Sequence, residues 1–281
     1  MTGLGLVAAA AVLWGTWVLF LRPAGLEGPQ SALVALAVMA LPAPFVFRRK
    51  AFADRGAVAA LAVLGVADAA NAALFFGALQ RGPVAVAVLT HYLAPLLVVL
   101  VAPWVAREPR SLRALAAAPV VLAGLSLVLG LTSTAPWPLE TAAMGAGSAV
   151  FYAALVFGFK RAGRSFSPLA ITALHAPVSV AVLLAVFGRA ALPQGFSPGV
   201  AWVAVGAVVC GLGATSLFNL GLTRVTTQAA GALTYLEPLT ATAVGIVAFG
   251  ERLSAAGVAG AVVVLGAGAY VAIQRVPEPT P

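Results

Sequence analysis

The chain has 281 residues, of which 62% are hydrophobic and only 9% charged, with a mean hydropathy of +1.05. A water-soluble domain carries about 25% charged residues, so the composition excludes one and makes lipid the solvent. The net charge of +8 sits in short breaks between apolar runs, a membrane-orientation pattern rather than a nucleic-acid surface. The single cysteine, Cys210, lies inside an apolar run and excludes a disulfide framework or a cysteine metal site.

Crossing a hydrocarbon core of roughly 30 Å takes about 20 apolar residues as a helix. Ten runs qualify in chain order: near 2–21, 29–47, 57–79, 83–105, 111–131, 139–159, 168–187, 199–222, 226–249 and 254–273. The first has no basic region before it and is expected to be a span rather than a signal peptide. Arg22-Pro23, Gly82-Pro83, Glu108-Pro109, Pro136-Trp137-Pro138, Ser167-Pro168 and Ser197-Pro198 punctuate the pattern, since proline ends or redirects helices. No connection is long enough for a soluble domain. The expectation is an all-α integral membrane protein of ten transmembrane helices.

The runs fall into two copies. Tyr92-Leu93-Ala94-Pro95-Leu96 is repeated as Tyr235-Leu236-Glu237-Pro238-Leu239, 143 residues later. The same offset pairs Arg81 with Arg224, Glu108 with Glu251, Leu74-Phe75 with Leu217-Phe218, and Ser111 with Ser254. This divides the chain into a first repeat, 1–137, and a second, 138–281, of five helices each. With a cytoplasmic N-terminus, twelve lysines and arginines fall in cytoplasmic segments and four on the other side, which places both termini in the cytoplasm. An odd number of spans per copy then inverts the second against the first. Inverted repeats are the architecture of alternating access, because two near-equivalent halves can exchange conformations.

Pro95 and Pro238, each followed thirteen positions later by a glutamate, together with Trp14-Gly15 and Gly250-Glu251-Arg252-Leu253-Ser254, make the chain similar to the EamA-type permeases of the drug/metabolite transporter superfamily. The likeness extends over essentially the whole chain. It implies a multi-pass carrier of the bacterial inner (plasma) membrane, often an exporter of amino acids or other small metabolites. It also implies a central cavity lined mainly by helices one to four and six to nine, with five and ten peripheral. The first copy departs from the pattern, with Arg107-Glu108-Pro109-Arg110 where the second has Gly250-Glu251-Arg252-Leu253.

Polar residues inside the spans cost a few kcal/mol each unless partnered or wet, so they are the candidates for cargo recognition. Glu237 shares a small, polar stripe with Thr227, Gly231, Thr234 and Ala241 and reads as a carboxylate for an ammonium group or a proton, or as an interhelical hydrogen bond. Asp68 and Asn71 share a helical face with Phe75, and Asp68 reads either as cavity lining or as a polar clasp to a hydroxyl or histidine. His91, one turn before Pro95, and His175, two residues before Pro177, lie beside carbonyls that proline would free. His91 is the stronger candidate for cargo or coupling. Tyr92 and Tyr235 are repeat mates, as are Pro95 and Pro238, and the prolines are expected to kink the fourth and ninth helices as hinges. Trp14 matches the family's tryptophan and, with Trp17, could stack on an organic substrate. Asn219, beside Thr215 and Ser216, is a further candidate, and Tyr152 a weaker one. No metal site or cofactor is expected.

Lysine and arginine are missing from the depths of the spans, which argues against phosphorylated cargo, and no P-loop sequence is present, so energy must come from a gradient or from the substrate itself. The expected partners are the lipid bilayer, a small organic substrate and protons, with a homodimer left open. The function this supports is secondary transport by alternating access, an exporter of amino acids or related zwitterions. A multidrug or lipophilic-cation exporter is the alternative, with a channel or assembly subunit behind it. A membrane enzyme would need a catalytic constellation that the short loops do not hold.

Overall fold

The structure, a computed structural model, describes residues 2–81, 84–130, 138–250, 252 and 254–272. Glu251, Leu253, Gly82-Pro83, Pro136-Trp137 and the basic Arg275 lie outside the described residues. Every regular element among those described is helical. Eight stretches are long and apolar enough to cross a bilayer: Gly3–Ala24, Gly28–Val46, Arg55–Phe75, Val86–Val105, Leu139–Ala162, Pro168–Ala191, Pro198–Leu222 and Thr227–Phe249. Leu112–Val128 and Ala255–Ala267 are apolar but shorter.

Several of these stretches are broken. The first is α1 (Gly3–Gly15) and α2 (Trp17–Leu21), joined at Thr16, whose hydroxyl donates to the Leu13 carbonyl at 2.6 Å. The second is α3 (Gly28–Ala40) and the short α4 (Ala43–Val46), separated at Pro42. The third, α5 (Arg55–Arg81), is continuous. The fourth is α6 (Val84–His91) and α7 (Ala94–Val105), followed by α8 (Leu112–Val128). In the second half come α9 (Leu139–Ala162) and α10 (Pro168–Phe187). Next are α11 (Pro198–Gly206), a π-helical stretch Ala207–Ala214, and α12 (Thr215–Leu222). Finally α13 (Thr227–Leu233), α14 (Leu236–Phe249) and α15 (Ala255–Ala272) complete the chain.

Short hydroxyl side chains start many of these helices by accepting from an otherwise orphaned backbone N–H. Ser111 caps α8 through the Ala114 N–H at 3.2 Å, and its repeat mate Ser254 caps α15 through the Gly257 N–H at 3.0 Å. Matching local chemistry therefore starts matching helices. Glu27 and Gln30 form a reciprocal capping box on α3, and Asp54 accepts from the Ala57 N–H at the start of α5.

Packing relies on close helix approach, as expected where lipid removes the hydrophobic drive between helices. The α5 helix lies along α9, with Gly158 seated against Leu64. The α8 helix pairs with α15, where Gly124 and Gly260 bring the two backbones together. That pair sits beside α7 and α13 rather than around the centre. The centre is walled by α1, α3, α5, α9, α10, α12 and the broken helices α6–α7 and α13–α14.

Each motif proline stands just past an interruption of its helix, across which Leu93, Thr234 and Tyr235 keep right-handed helical backbone. Helix α6 ends at His91 and α7 starts at Ala94, so Pro95 stands in the first turn of the new half-helix. Likewise α13 ends at Leu233, α14 starts at Leu236, and Pro238 stands in its first turn. Proline has no N–H to donate and is at home where that N–H would be an orphan anyway. The break falls two to three residues before Pro95 and three to four before Pro238, within one residue of the same place in both copies.

Candidate functional site

One end of the bundle is sealed. Behind Phe159 and Phe218, the side chains of Ala162, Phe166, Leu222 and Val225 close into a buried core. Polar ties cross it. Lys160 Nζ donates to the Leu222 carbonyl at 2.8 Å and to the Val225 carbonyl at 2.6 Å, so α9 holds the end of α12. The Glu108 carboxylate accepts from the Thr227 N–H at 2.7 Å, the Thr227 hydroxyl at 2.6 Å and the Gln228 N–H at 3.3 Å. A carboxylate at a helix N-terminus satisfies orphan donors and meets the positive end of the helix dipole. Gln228 returns the contact, accepting from the Ser111 N–H and donating to the Pro109 carbonyl. The connection after α7 is thereby fastened to the start of α13, one repeat to the other.

The turn that presents Glu108 has left-handed backbone. Arg107 has φ of 55°, and Gly250, its mate by the 143-residue offset, has φ of 69°. The sequence difference between the copies thus hides one shared conformation, held by glycine in one copy and by a strained arginine in the other. Glu108 therefore acts as a helix cap, while Glu251 is outside the described residues. Asp54 adds a further tie: Arg161 grips it through two hydrogen bonds of 3.0 and 2.7 Å and the Ser165 hydroxyl donates at 2.6 Å. These hydrogen bonds, with Arg161 the largest influence, hold the Asp54 carboxyl well below the ordinary carboxylate range.

Away from the sealed end lies a cavity of about 220 Å³. It runs from Phe159 and Phe218 past Asp68, His91, Tyr152, His175 and Glu237 to Trp17, Leu21 and Ser31 toward the opposite end. Among the candidates read from the sequence, Trp14, Asp68, Asn71, His91 and Glu237 all line it, as do Trp17, Tyr152 and His175. Among the described residues, no lysine or arginine lines it. Three of its oxygens, Asn71 Oδ1, Tyr152 Oη and Glu237 Oε2, are buried without a hydrogen-bond partner. A buried polar atom left unpaired costs about 1–3 kcal/mol, so the Asn71 and Glu237 oxygens favour an arriving donor and the Tyr152 hydroxyl a donor or an acceptor.

The repeat shapes the wall as well. Asp68, Ala72 and Phe75 of α5 line the cavity, and so do their mates Gly211, Thr215 and Phe218. The two copies use the same register, yet only the first carries a carboxylate there. The π-helical stretch in the second copy places Cys210 and Gly211 at the wall, and single π turns recur at functional sites. Cys210 donates to the Leu13 carbonyl at 3.2 Å, across from the break between α1 and α2.

His91 is fixed by its surroundings. The Ser148 hydroxyl donates to the Gly145 carbonyl at 2.7 Å, so the 2.7 Å contact between His91 Nδ1 and Ser148 Oγ needs the hydrogen on Nδ1. The ring stacks on Phe75 with centroids 4.2 Å apart and meets the Tyr152 ring edge-on at 5.3 Å. Its partner is thus a serine on α9 rather than a carbonyl freed by Pro95. His175 likewise uses the Ile171 carbonyl and Asp68, not the carbonyl that Pro177 releases.

The other candidates are placed elsewhere. Tyr92 and Tyr235 face each other with centroids 6.5 Å apart, packed into a cluster with Val121, Leu125 and Val264 of α8 and α15. They join the two broken helices to each other and do not line the cavity. Asn219 donates to the Thr172 hydroxyl at 3.2 Å, a tie between α12 and α10. Of the polar stripe around Glu237, only Glu237 itself lines the cavity. Gly231 packs on Val98, and Thr227 serves the Glu108 cap, leaving Glu237 alone at the cavity. Ser148, Phe159 and Met39 carry no sequence signal that sets them apart from other residues of apolar helices.

A family model described as the EamA-like transporter family matches residues 1–130 and 140–273. No curated protein matches. A solved structure described only as "Crystal structure of protein" superposes with a TM-score of 0.74 at 24% identity, covering 97% of this chain and 98% of its own, a likeness of fold. With both halves of the chain matched, the protein belongs to the EamA-like transporter family and is a multi-pass membrane transporter of the drug/metabolite transporter superfamily.

Proposed function

We propose that the protein is a secondary carrier working by alternating access, an exporter of small amine-bearing metabolites with amino acids as the first class. The ten helical stretches are read as ten spans in two inverted halves meeting near residues 137 and 138. Both termini are placed in the cytoplasm of a bacterial inner membrane, so the described conformation has its cytoplasmic end sealed and its cavity directed outward.

The observation that carries this reading is a cavity walled by both halves whose unpaired buried atoms, at Asn71, Tyr152 and Glu237, are acceptors or hydroxyls and whose wall holds no lysine or arginine. An ammonium group supplies three donors and a positive charge. Trp14, Trp17, Phe75 and Phe218 supply faces for an apolar body or a cation. Because no permanent cation is present for a cargo carboxylate, a lipophilic organic cation is the second reading. A metabolite efflux screen of overexpressing cells, read by mass spectrometry against a vector control, names the cargo. Saturable counterflow of that compound in liposomes is the expected result, and unsaturable conductance would refute a carrier.

A further inference from the structure

The donors and acceptors of the Asp68 and His175 contact do not balance unless it holds a hydrogen of its own. His175 Nδ1 lies 2.7 Å from the Ile171 carbonyl oxygen, one turn back on α10. A carbonyl oxygen only accepts, so Nδ1 carries a hydrogen. His175 Nε2 lies 3.1 Å from Asp68 Oδ2 on α5. With Nδ1 committed, this second contact needs a second hydrogen. It resides either on Oδ2, facing a neutral ring, or on Nε2, as an imidazolium facing a carboxylate. Remove it and two lone pairs, one of them on a charged carboxylate, face each other in a buried site. The hydrogen bond between α5 and α10 then has no donor.

Access to this proton is one-sided. The His175 side chain has no exposed surface, whereas Asp68 keeps 20% of its side-chain surface open, and both residues line the cavity. Phe159 meets the imidazole edge-on at 5.8 Å and Gly65 packs against the His175 carbonyl, so the ring has little freedom to turn. Ionisable neighbours at the same cavity are His91 from α6, Tyr152 from α9, Cys210 from the π-helical stretch and Glu237 from α14. Helices α3, α4 and α12, which also pack on α5 or α10, contain no ionisable side chain. Arg55 and Arg81 stand at the two ends of α5, Lys160 and Arg161 in the last turn of α9, and Arg49, Lys50 and Arg189 in the short helical turns next to α5 and α10. None of these permanent cations lines the cavity.

We propose that Asp68 and His175 form a single-proton binding site that opens on the cavity. Resting on the carrier reading above, the site supplies a route for coupling. An ammonium cargo reaching the open side of Asp68 takes the carboxylate as partner, and the shared proton passes to cavity water, one positive charge replacing another. Return of a proton reverses the exchange and releases the cargo.

The proton itself is the ligand to be measured. An infrared-difference pH titration of the purified full chain is expected to show one step in which a carboxyl band and an imidazole band change together, as coupled groups must. Asp68→Asn and His175→Gln are each expected to abolish the whole step. The asparagine amide can still donate to Nε2, so the Asp68→Asn protein is expected to unfold at a temperature close to that of the wild type. A joint carboxyl and imidazole step that survives in either variant, or no joint step in the wild type, overturns the proposal. Counterflow of radiolabelled leucine in the wild type bears on the carrier reading and not on the titration, so failure of one is distinguishable from failure of the other.

Discussion

The sealed end and the cavity use the same kinds of polar residue in opposite ways. At the sealed end Glu108 accepts three hydrogen bonds, Lys160 reaches two carbonyls and Asp54 is gripped by Arg161 and Ser165. In the cavity Glu237, Asn71 and Tyr152 each leave a buried oxygen unpaired. A saturated network adds rigidity, whereas an unsaturated one binds what arrives. On the proposed reading the first is a lock that another conformation must open, and the second is a seat that the cargo completes. A transporter needs both, and in this chain they occupy different helix ends.

The largest expected effect comes from changing the seat. Replacing Glu237 by glutamine removes a charged acceptor worth about 1.5–3 kcal/mol to a bound donor, so counterflow of the cargo should fall by roughly ten- to a hundredfold. Thermal unfolding should be nearly unchanged, because glutamine keeps the shape of a side chain whose Oε2 already lacks a partner. A variant that transports normally would remove Glu237 from the seat.

Next comes the lock. Glu108→Ala removes three hydrogen bonds from the start of α13, which keeps its Thr226 cap, at a cost of about 1–2 kcal/mol, which is a shift on the order of tenfold between sealed and open states. A cysteine introduced at Val225 in a Cys210→Ala background should then be labelled faster by a water-soluble maleimide. Unchanged labelling would show that the cap is not part of the seal. Arg107→Gly should act in the other direction, relieving left-handed strain of about 1 kcal/mol and raising the unfolding temperature, since the mate position already holds glycine.

Acidification separates the two regions. The Asp54 carboxyl is depressed, so its stabilisation is complete above the ordinary aspartate value of about 3.9 and is lost only as pH falls through its lower folded value. Between about pH 5 and 7 the lock at Asp54 should not titrate, and the transport profile of Asp54→Asn should parallel that of the wild type. A profile that changes shape there would tie the lock to the pH response. The smallest effect is expected for Tyr235→Phe, whose hydroxyl is buried without a partner. Removing an unpaired buried hydroxyl should raise stability slightly, by about 1 kcal/mol, as thermal unfolding would show.

Much of the architecture is legible in the residues. Apolar runs of sufficient length announce the helices, and the 143-residue offset announces two copies, because lipid permits few other solutions for such a chain. Serines at matching offsets start matching helices for the same local reason. The site is legible only in part. Asp68, Asn71, His91 and Glu237 stand out because polar atoms are rare in apolar spans, and all four reach the cavity. Tyr92, Tyr235 and Asn219 stand out equally, yet they tie helices together. Polarity and spacing do not say which face of a helix meets an open space.

What the sequence determined by itself is the solvent, the helical runs and the duplication, all of which follow from composition and short-range pattern. Only the tertiary structure decided where the helices break and which polar atoms are left unpaired. It alone set the Glu108 cap 119 positions from Thr227 and brought Asp68 to His175 across 107 positions. The physical reason is that a hydrogen bond depends on a partner's position to within a fraction of an ångström, and in this chain that position is fixed by packing between helices far apart along the chain.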